Sequence, residues 1–309
     1  MSAGAPALRD LVAAELAVPV PAAVNAMAAA IAARHPSALG VLFYGSCLRE
    51  QSFDGLMLDF YLIVESYGRA FDRAWLARAN RLLPPNVFPF EHEGLIAKYA
   101  VLSADDFARL NGPEAETVSV WARFAQPSRL VWVAGDIATA AIVDAIARAA
   151  PTLFELTLPM LTGTGDVADM DIWREGFRLT YGAELRAERA NRPGSVVDAD
   201  PARYHAFARA VLAAIAREHG VGPNGEVPNA WSPAAAAGRW AKLRRNGKLL
   251  TLARLAKASA TYAGGIDYLA WKISRHSGQK VTIRPWQRRW PILGAITLLP
   301  RLIAKGAIR

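Results

Sequence analysis

The sequence is poor in cysteine and in acid, and it lacks a long apolar run. Cys47 is the only cysteine in 309 residues, which excludes an intramolecular disulfide framework and a cysteine-rich metal site and fits a reducing compartment. Acidic residues number 27 against 36 Lys and Arg, so the formal net charge is +9 and the pI is near 9.9. That balance favours anionic partners: nucleic acid, acidic lipid or nucleotide phosphate. A basic, Ala- and Arg-rich protein with no such partner has the same balance. No uncharged apolar stretch reaches the roughly 18 residues that a membrane-crossing helix needs, so none is expected. The N-terminus has no basic region followed by an apolar core, and Asp10 and Glu15 interrupt it, so no secretion signal is expected. No internal repeat is present. What the chain does have is 53% hydrophobic and 20% charged residues, enough for a sizeable core and incompatible with a disordered chain. Its length allows one large domain or two ordinary ones.

The first third alternates between helical and extended patterns. Residues 19–35 are Ala-rich with helical spacing. VLFYG (41–45) and LMLDFYLIV (56–64) read as strands, with SCLREQ as a turn into a short helix between them. FDRAWLARANRLL reads as a helix stopped at Pro84-Pro85, NVFPFEHEGLIAKYAVLS as bent or paired strands, and Ser103 with Asp105 and Asp106 as a helix start. Beyond residue 112 the patterns are helical, with a Pro-, Gly- and Asn-rich linker at 221–233. The expected architecture is α+β. A small α/β domain (1–112) precedes a helical domain (113–284), and an amphipathic tail (285–309) follows.

The stretch from Val41 to Ser66 carries the chemistry. A carboxylate on an apolar strand is costly unless paired or metal-bound, and Asp59 is such a residue. Strand, Gly-Ser turn and strand with one inward acid is the minimal layout of a nucleotidyltransferase core. Gly45 lets a phosphate approach the backbone without a Cβ in the way, and Ser46 and the amides after it donate to phosphate oxygens. Asp59 would ligate Mg²⁺, which bridges nucleotide phosphates. The alternative is a capped turn followed by an acid at an exposed strand edge. Alternation places Asp59, Tyr61 and Ile63 on one face and Leu58, Phe60 and Leu62 on the other. The second position of an acid pair is Tyr61, which argues against a two-metal polymerase arrangement. Glu65 is roughly 20 Å further along an extended strand. Asp54, Glu91 and Glu93 are the other candidate acids.

YGSCLREQ, MLDFYLIVES and IAKYAVLSADDF resemble the mitochondrial-type phosphatidate cytidylyltransferases, the CDP-diacylglycerol synthases of the translocator assembly and maintenance family, which has bacterial relatives. The resemblance rests on Tyr44, Gly45, Ser46, Asp59, Lys98 and Tyr99. LTYGAELRAE looks like a further block of that family, bringing in Tyr181, Gly182 and Arg186, with its acid at Glu184. The resemblance implies transfer from CTP to phosphatidic acid, giving CDP-diacylglycerol and pyrophosphate with Mg²⁺. Asp59 and Lys98 would then be catalytic, Asp59 the metal ligand, and Tyr44, Gly45, Ser46, Tyr99 and Arg186 nucleotide-binding. It also implies a cytoplasmic protein, peripheral on the inner face of the membrane.

Residues 239–257 hold seven Lys and Arg residues from Arg239 to Lys257. They read as a solvated helix face or as a site for an anionic headgroup. Nucleic acid is not expected, because aromatic stacking platforms are not interleaved. The tail combines Trp286 and Trp290 with Arg288, Arg289, Arg301, Lys305 and Arg309, the composition of an interfacial anchor on anionic lipid; packing on the domain is the alternative. Two other function classes remain open: a soluble nucleotidyltransferase acting on a small molecule or protein, and a non-enzymatic basic lipid- or RNA-binding protein.

Overall fold

The structure, a computed structural model, describes residues 7–49, 53, 56–161, 167–184, 196–220, 231–261 and 283–289. It is α+β: one mixed five-stranded sheet with helices packed on it. The strands are β1 (Ala38–Tyr44), β2 (Met57–Val64), β3 (Asn86–His92), β4 (Leu95–Ser103) and β5 (Ser128–Val133). They lie in the order β3-β4-β2-β1-β5. β1 is antiparallel to both β2 and β5, β2 is parallel to β4, and β3 and β4 form an antiparallel pair.

Two apolar layers cover the sheet. α1 (Leu8–Leu16) packs at the β5 side and α2 (Ala22–Ala33) lies on the face that holds Val41, Phe43, Leu58, Phe60 and Leu62. Leu42, Tyr44, Tyr61 and Ile63 point the other way, into the larger core. The alternation expected for β2 is therefore the observed one, with Tyr61 and Ile63 opposite Leu58, Phe60 and Leu62. After β2 come α3 (Tyr67–Ala70) and α4 (Ala74–Leu82), and after β4 come α5 (Ala104–Leu110) and α6 (Trp121–Phe124). Ser103 caps α5, accepting from the Asp106 amide at 3.2 Å, as its sequence predicts.

The expected boundary at residue 112 does not end the sheet. Ser128–Val133, placed in the helical segment by the sequence reading, forms β5 and pairs with β1. The larger core then continues without a break into α7 (Asp136–Ala147), α8 (Ala149–Leu161), α9 (Asp169–Ala183), α10 (Pro201–His219) and α11 (Pro233–Thr261). α7 and α8 together are long and apolar enough to cross a bilayer, but half of that stretch is buried inside the protein, where Leu153, Phe154 and Leu156 join the core.

α11 spans the molecule with a stripe of inward residues spaced three and four apart: Trp240, Leu243, Gly247, Leu250, Arg254 and Lys257. The stripe begins apolar: Trp240 is buried and donates Nε1–H to the Leu156 carbonyl at 2.8 Å. At Gly247 the helix passes so close to the end of α9 that a Cβ would stand 2.1 Å from the Ala183 carbonyl oxygen. At its end the stripe is cationic. Arg254 donates to the Pro84 carbonyl at 2.8 Å and to Ser119 Oγ at 3.0 Å, and Lys257 Nζ donates to the Leu83 and Pro85 carbonyls.

Of the expected tail, residues 290–309 lie outside the described residues. Its first part forms α12 (Pro285–Arg289), where Gln287 is buried and Trp286 is exposed.

Candidate active site

One row of residues crosses the sheet at the end that carries the Gly45–Ser46 turn. Pro89 pairs with Lys98, Lys98 with Asp59, Asp59 with Tyr44, and Tyr44 with Ser128. The parallel β2–β4 register thus puts Lys98 directly beside Asp59, and Lys98 Nζ lies 2.7 Å from Asp59 Oδ1. Asp59 Oδ1 is shut off from solvent, so Lys98 is the charge it faces. The other carboxylate oxygen looks toward the turn after β1: a Cβ built on Gly45 would lie 3.5 Å from Asp59 Oδ2. Gly45 has φ +93°, a left-handed conformation that glycine adopts without penalty.

Tyr44, Gly45, Ser46 and Asp59 line a single cleft of about 330 Å³, together with Arg123, Arg129 and Tyr181. Ser46 opens a 3-10 turn, Ser46–Arg49, rather than an α-helix. The amides there are those of one tight turn, with Leu48 N–H donating to the Gly45 carbonyl at 3.3 Å. A four-residue turn has no macrodipole of consequence, so any attraction for phosphate rests on local N–H groups and on side-chain cations.

Arg123 supplies one of those cations. It comes from α6, where nothing in the sequence marks it as functional. Its guanidinium lies over the rings of Tyr44 (5.1 Å) and Tyr61 (6.0 Å) and donates to Tyr61 Oη at 3.3 Å and to the Ser119 carbonyl at 2.9 Å. Burial disfavours the cation, but the oxygens of Tyr44, Tyr61, Glu184 and Asp59 outweigh that and leave its pKa raised. Burial first, and the Asp59 carboxylate second, push the Tyr44 phenol well above its usual pKa, so Tyr44 stays neutral and can donate. Arg254 and Lys257 stand behind Arg123. Burial lowers the Arg254 pKa, and burial with the neighbouring Arg254 charge pulls the Lys257 amine down to about 7. The far end of the cleft is closed by a buried bidentate pair, Arg203 to Glu15 at 2.5 and 3.0 Å.

Among the described acids lining the cleft, Glu15 is committed to Arg203, and Asp200 caps α10 by accepting from the Arg203 amide at 3.1 Å. That leaves Asp59 as the carboxylate next to Gly45 and Ser46, with one oxygen toward the cleft. A single carboxylate fits Mg²⁺, which commonly takes one or two protein carboxylates and fills its octahedron with phosphate oxygens and water. Neither Glu91 nor Glu93 joins it: Glu91 is exposed on β3, two strands from β2, and Glu93 turns the β3–β4 hairpin at φ 50° beside His92. Glu184, at the end of α9, is the acid that reaches this neighbourhood, as its electrostatic influence on Arg123 and Tyr44 records. Asp54 and Arg186 lie outside the described residues.

Tyr99 requires a correction. It neighbours Lys98 in sequence, so alternation turns it to the opposite face of β4, where it packs with Phe88 and Phe90 and its hydroxyl meets His35 Nε2 at 3.2 Å. It is a core residue of the second layer and does not reach the cleft. No protein-family model matches the chain, and no curated protein matches it.

Proposed function

We propose that the protein is a Mg²⁺-dependent nucleotidyltransferase whose cleft takes the triphosphate of a nucleotide against Gly45 and Ser46. The observation that carries this reading is the convergence of the Gly45–Ser46 turn, the Asp59–Lys98 pair and Arg123 at one end of the sheet. Such a site needs little covalent chemistry of its own. It must align the nucleotide and offset charge as the leaving group departs, and fixed cations in a half-buried cleft serve that purpose. Asp59 would hold the metal, which would supply charge neutralisation at the phosphates. Lys98 pairs with Asp59 and is not itself among the residues lining the cleft; its ammonium would balance the Asp59 charge and, turned from that pair, would meet the triphosphate. Tyr44 and Arg123 then wall the cleft on the Asp59 side.

Within that class the motifs on Tyr44, Gly45, Ser46, Asp59 and Lys98 favour phosphatidate cytidylyltransferase. An oxygen of the phosphatidic acid phosphate bonds to the α-phosphorus of CTP. The bond from that phosphorus to the bridging oxygen breaks, and pyrophosphate leaves with the electron pair. A phosphate monoester is already an anionic nucleophile, so no strong general base is required. The absence of a cleft histidine among the described lining residues therefore raises no difficulty. The acceptor is a lipid, which places the reaction at an anionic membrane surface, on the cytoplasmic inner face, with residues 285–309 as one contact.

The test is pyrophosphate release by the purified protein with each nucleoside triphosphate in turn, Mg²⁺, and phosphatidic acid in mixed micelles. Release with CTP alone, dependent on both metal and lipid, is the expected result. No release with any nucleotide refutes the class. Release with CTP and a water-soluble phosphate monoester, but not with phosphatidic acid, refutes the particular reaction and leaves the class standing.

A further inference from the structure

α4 carries an outward face that the fold does not use. Its inner side is fixed: Ala77 and Asn80 are buried, and Asn80 donates to the Val101 carbonyl at 2.9 Å while Asn86 donates to the Leu76 carbonyl at 3.0 Å. On the outer side Trp75, Arg78 and Leu82 follow one another at helical spacing, with Arg81 beside them. Trp75 is 46% exposed and Leu82 is 87% exposed, so the two apolar side chains stand open on one helix among its arginines. Arg78 and Arg81 are exposed, and neither has an ion-pair partner among the described residues. The helix sequence AWLARANRL contains no acid.

A second element brings the same composition to the same end of the molecule. α11 also contains no acid, and it exposes Lys248 and Leu249, the latter 59% open to solvent. Five residues beyond Leu249, about 7.5 Å along the axis, Arg254 binds the Pro84 carbonyl, two positions after Leu82. The Pro84–Pro85 turn that follows α4 is held by the inward Arg254 and Lys257 of this acid-free helix.

We propose that this α4 face docks on an anionic lipid surface. A solitary Trp and a Leu set among arginines, with no acid on either helix, match the interfacial zone of a bilayer. There the indole and the aliphatic chain enter the headgroup boundary and the guanidinium groups meet lipid phosphates. A protein partner would require a larger apolar patch than two side chains on one short helix. The contact is distinct from residues 285–309 and does not depend on the nucleotidyltransferase reading, because it needs neither nucleotide nor metal.

Sedimentation of the full chain with vesicles tests it, without nucleotide, using phosphatidylcholine alone and equimolar phosphatidylcholine and phosphatidylglycerol. The expected result is binding to the anionic vesicles. Arg78→Glu/Arg81→Glu should weaken that binding at least tenfold, since each cation near such a surface is worth on the order of 1 kcal/mol. Trp75→Ala/Leu82→Ser should weaken it at low and at high salt alike. Asp59→Asn should sediment like the unaltered protein, which separates this result from the fate of the catalytic reading. A second readout is an environment-sensitive fluorophore on Leu82→Cys; Cys47 is buried, so labelling is confined to position 82. A blue shift on adding anionic vesicles supports the proposal. A fluorophore that stays in water while the protein sediments overturns it. So does charge-reversed protein that binds as well as the original, or binding to a duplex oligonucleotide with none to vesicles.

Discussion

Replacing Asp59 by Asn separates the chemistry of the cleft from its packing. The amide keeps the shape of the carboxylate and still offers an oxygen to Lys98 Nζ, which lies 2.7 Å away, but the charge is gone. The side chains of Lys98 and Asp59 are 26% and 23% exposed, so the pair is neither fully buried nor freely solvated. Breaking one side of a buried pair costs about 3–5 kcal/mol and breaking an exposed pair about 0–1 kcal/mol. The intermediate setting, with an amide oxygen still beside the ammonium, argues for a loss of about 1–2 kcal/mol. At about 2–4 °C per kcal/mol for a chain of this size, the melting temperature should fall by about 2–8 °C. On the proposed reading turnover should fall much further, because the carboxylate that would hold the metal is no longer charged. Lys98→Met tests the other half, and the double variant should recover part of the stability, with a coupling of about 1 kcal/mol, but none of the activity. Thermal melting read by circular dichroism and pyrophosphate release read in parallel supply both numbers. Retention by Asp59→Asn of more than about a tenth of the activity, a change under roughly 1.4 kcal/mol, refutes the role given to Asp59. Strict additivity of the two stability losses refutes the pairing.

Three further outcomes are expected. Gly45→Ala should fold, with about 1 kcal/mol of strain from the left-handed backbone, and should lose nucleotide affinity in a fluorescent-nucleotide titration, because its methyl group would stand where Asp59 Oδ2 faces the turn. Arg123→Lys should lose about 1–2 kcal/mol in urea unfolding, since an ammonium cannot both lie over two tyrosine rings and donate to the Ser119 carbonyl; unchanged stability would mean the guanidinium is dispensable there. His35 is held by burial below its ordinary pKa, with Nδ1 at 3.0 Å from the Ala70 carbonyl oxygen. The unfolded chain therefore takes up a proton that the folded protein refuses. Its stabilising contribution is intact above about pH 6.5 and declines as the pH falls through and below that value. His35→Gln should flatten the acid limb of stability against pH, and a limb that is unchanged removes His35 as its source.

The sheet and the acid were legible where one residue's surroundings in the chain are also its surroundings in the fold. β1 and β2 announce themselves as apolar runs, and Asp59 stands out because a charge on such a run needs a reason. Lys98 was singled out only through a resemblance, because its meeting with Asp59 depends on a parallel register between strands more than thirty residues apart, and no local pattern encodes that. Tyr99 follows the strand's own rule: if Lys98 faces Asp59, alternation sends the next residue to the opposite core. β5 escaped because six residues following a proline, at the sheet edge, give little periodicity to read. Arg123 left no trace, since a four-residue helix in a run of apolar residues shows nothing of the two tyrosine rings that only the folded sheet brings beneath it.

The inward stripe of α11 has a consequence for how the chain can vary. Gly247 and Arg254 are seven positions apart, close to two full turns, so the tight passage over the Ala183 carbonyl and the bond to the Pro84 carbonyl lie on one side of the helix. Insertion or deletion of a single residue between them would swing one end about 100° relative to the other, and either the glycine would face solvent or the arginine would lose the turn. A change of seven residues would keep both on one side but shift them by about 10.5 Å along the axis, so neither kind of length change preserves both contacts. The helix works as a ruler, and the distance it fixes is the one between the end of α9, with Glu184, and the β3 edge of the sheet.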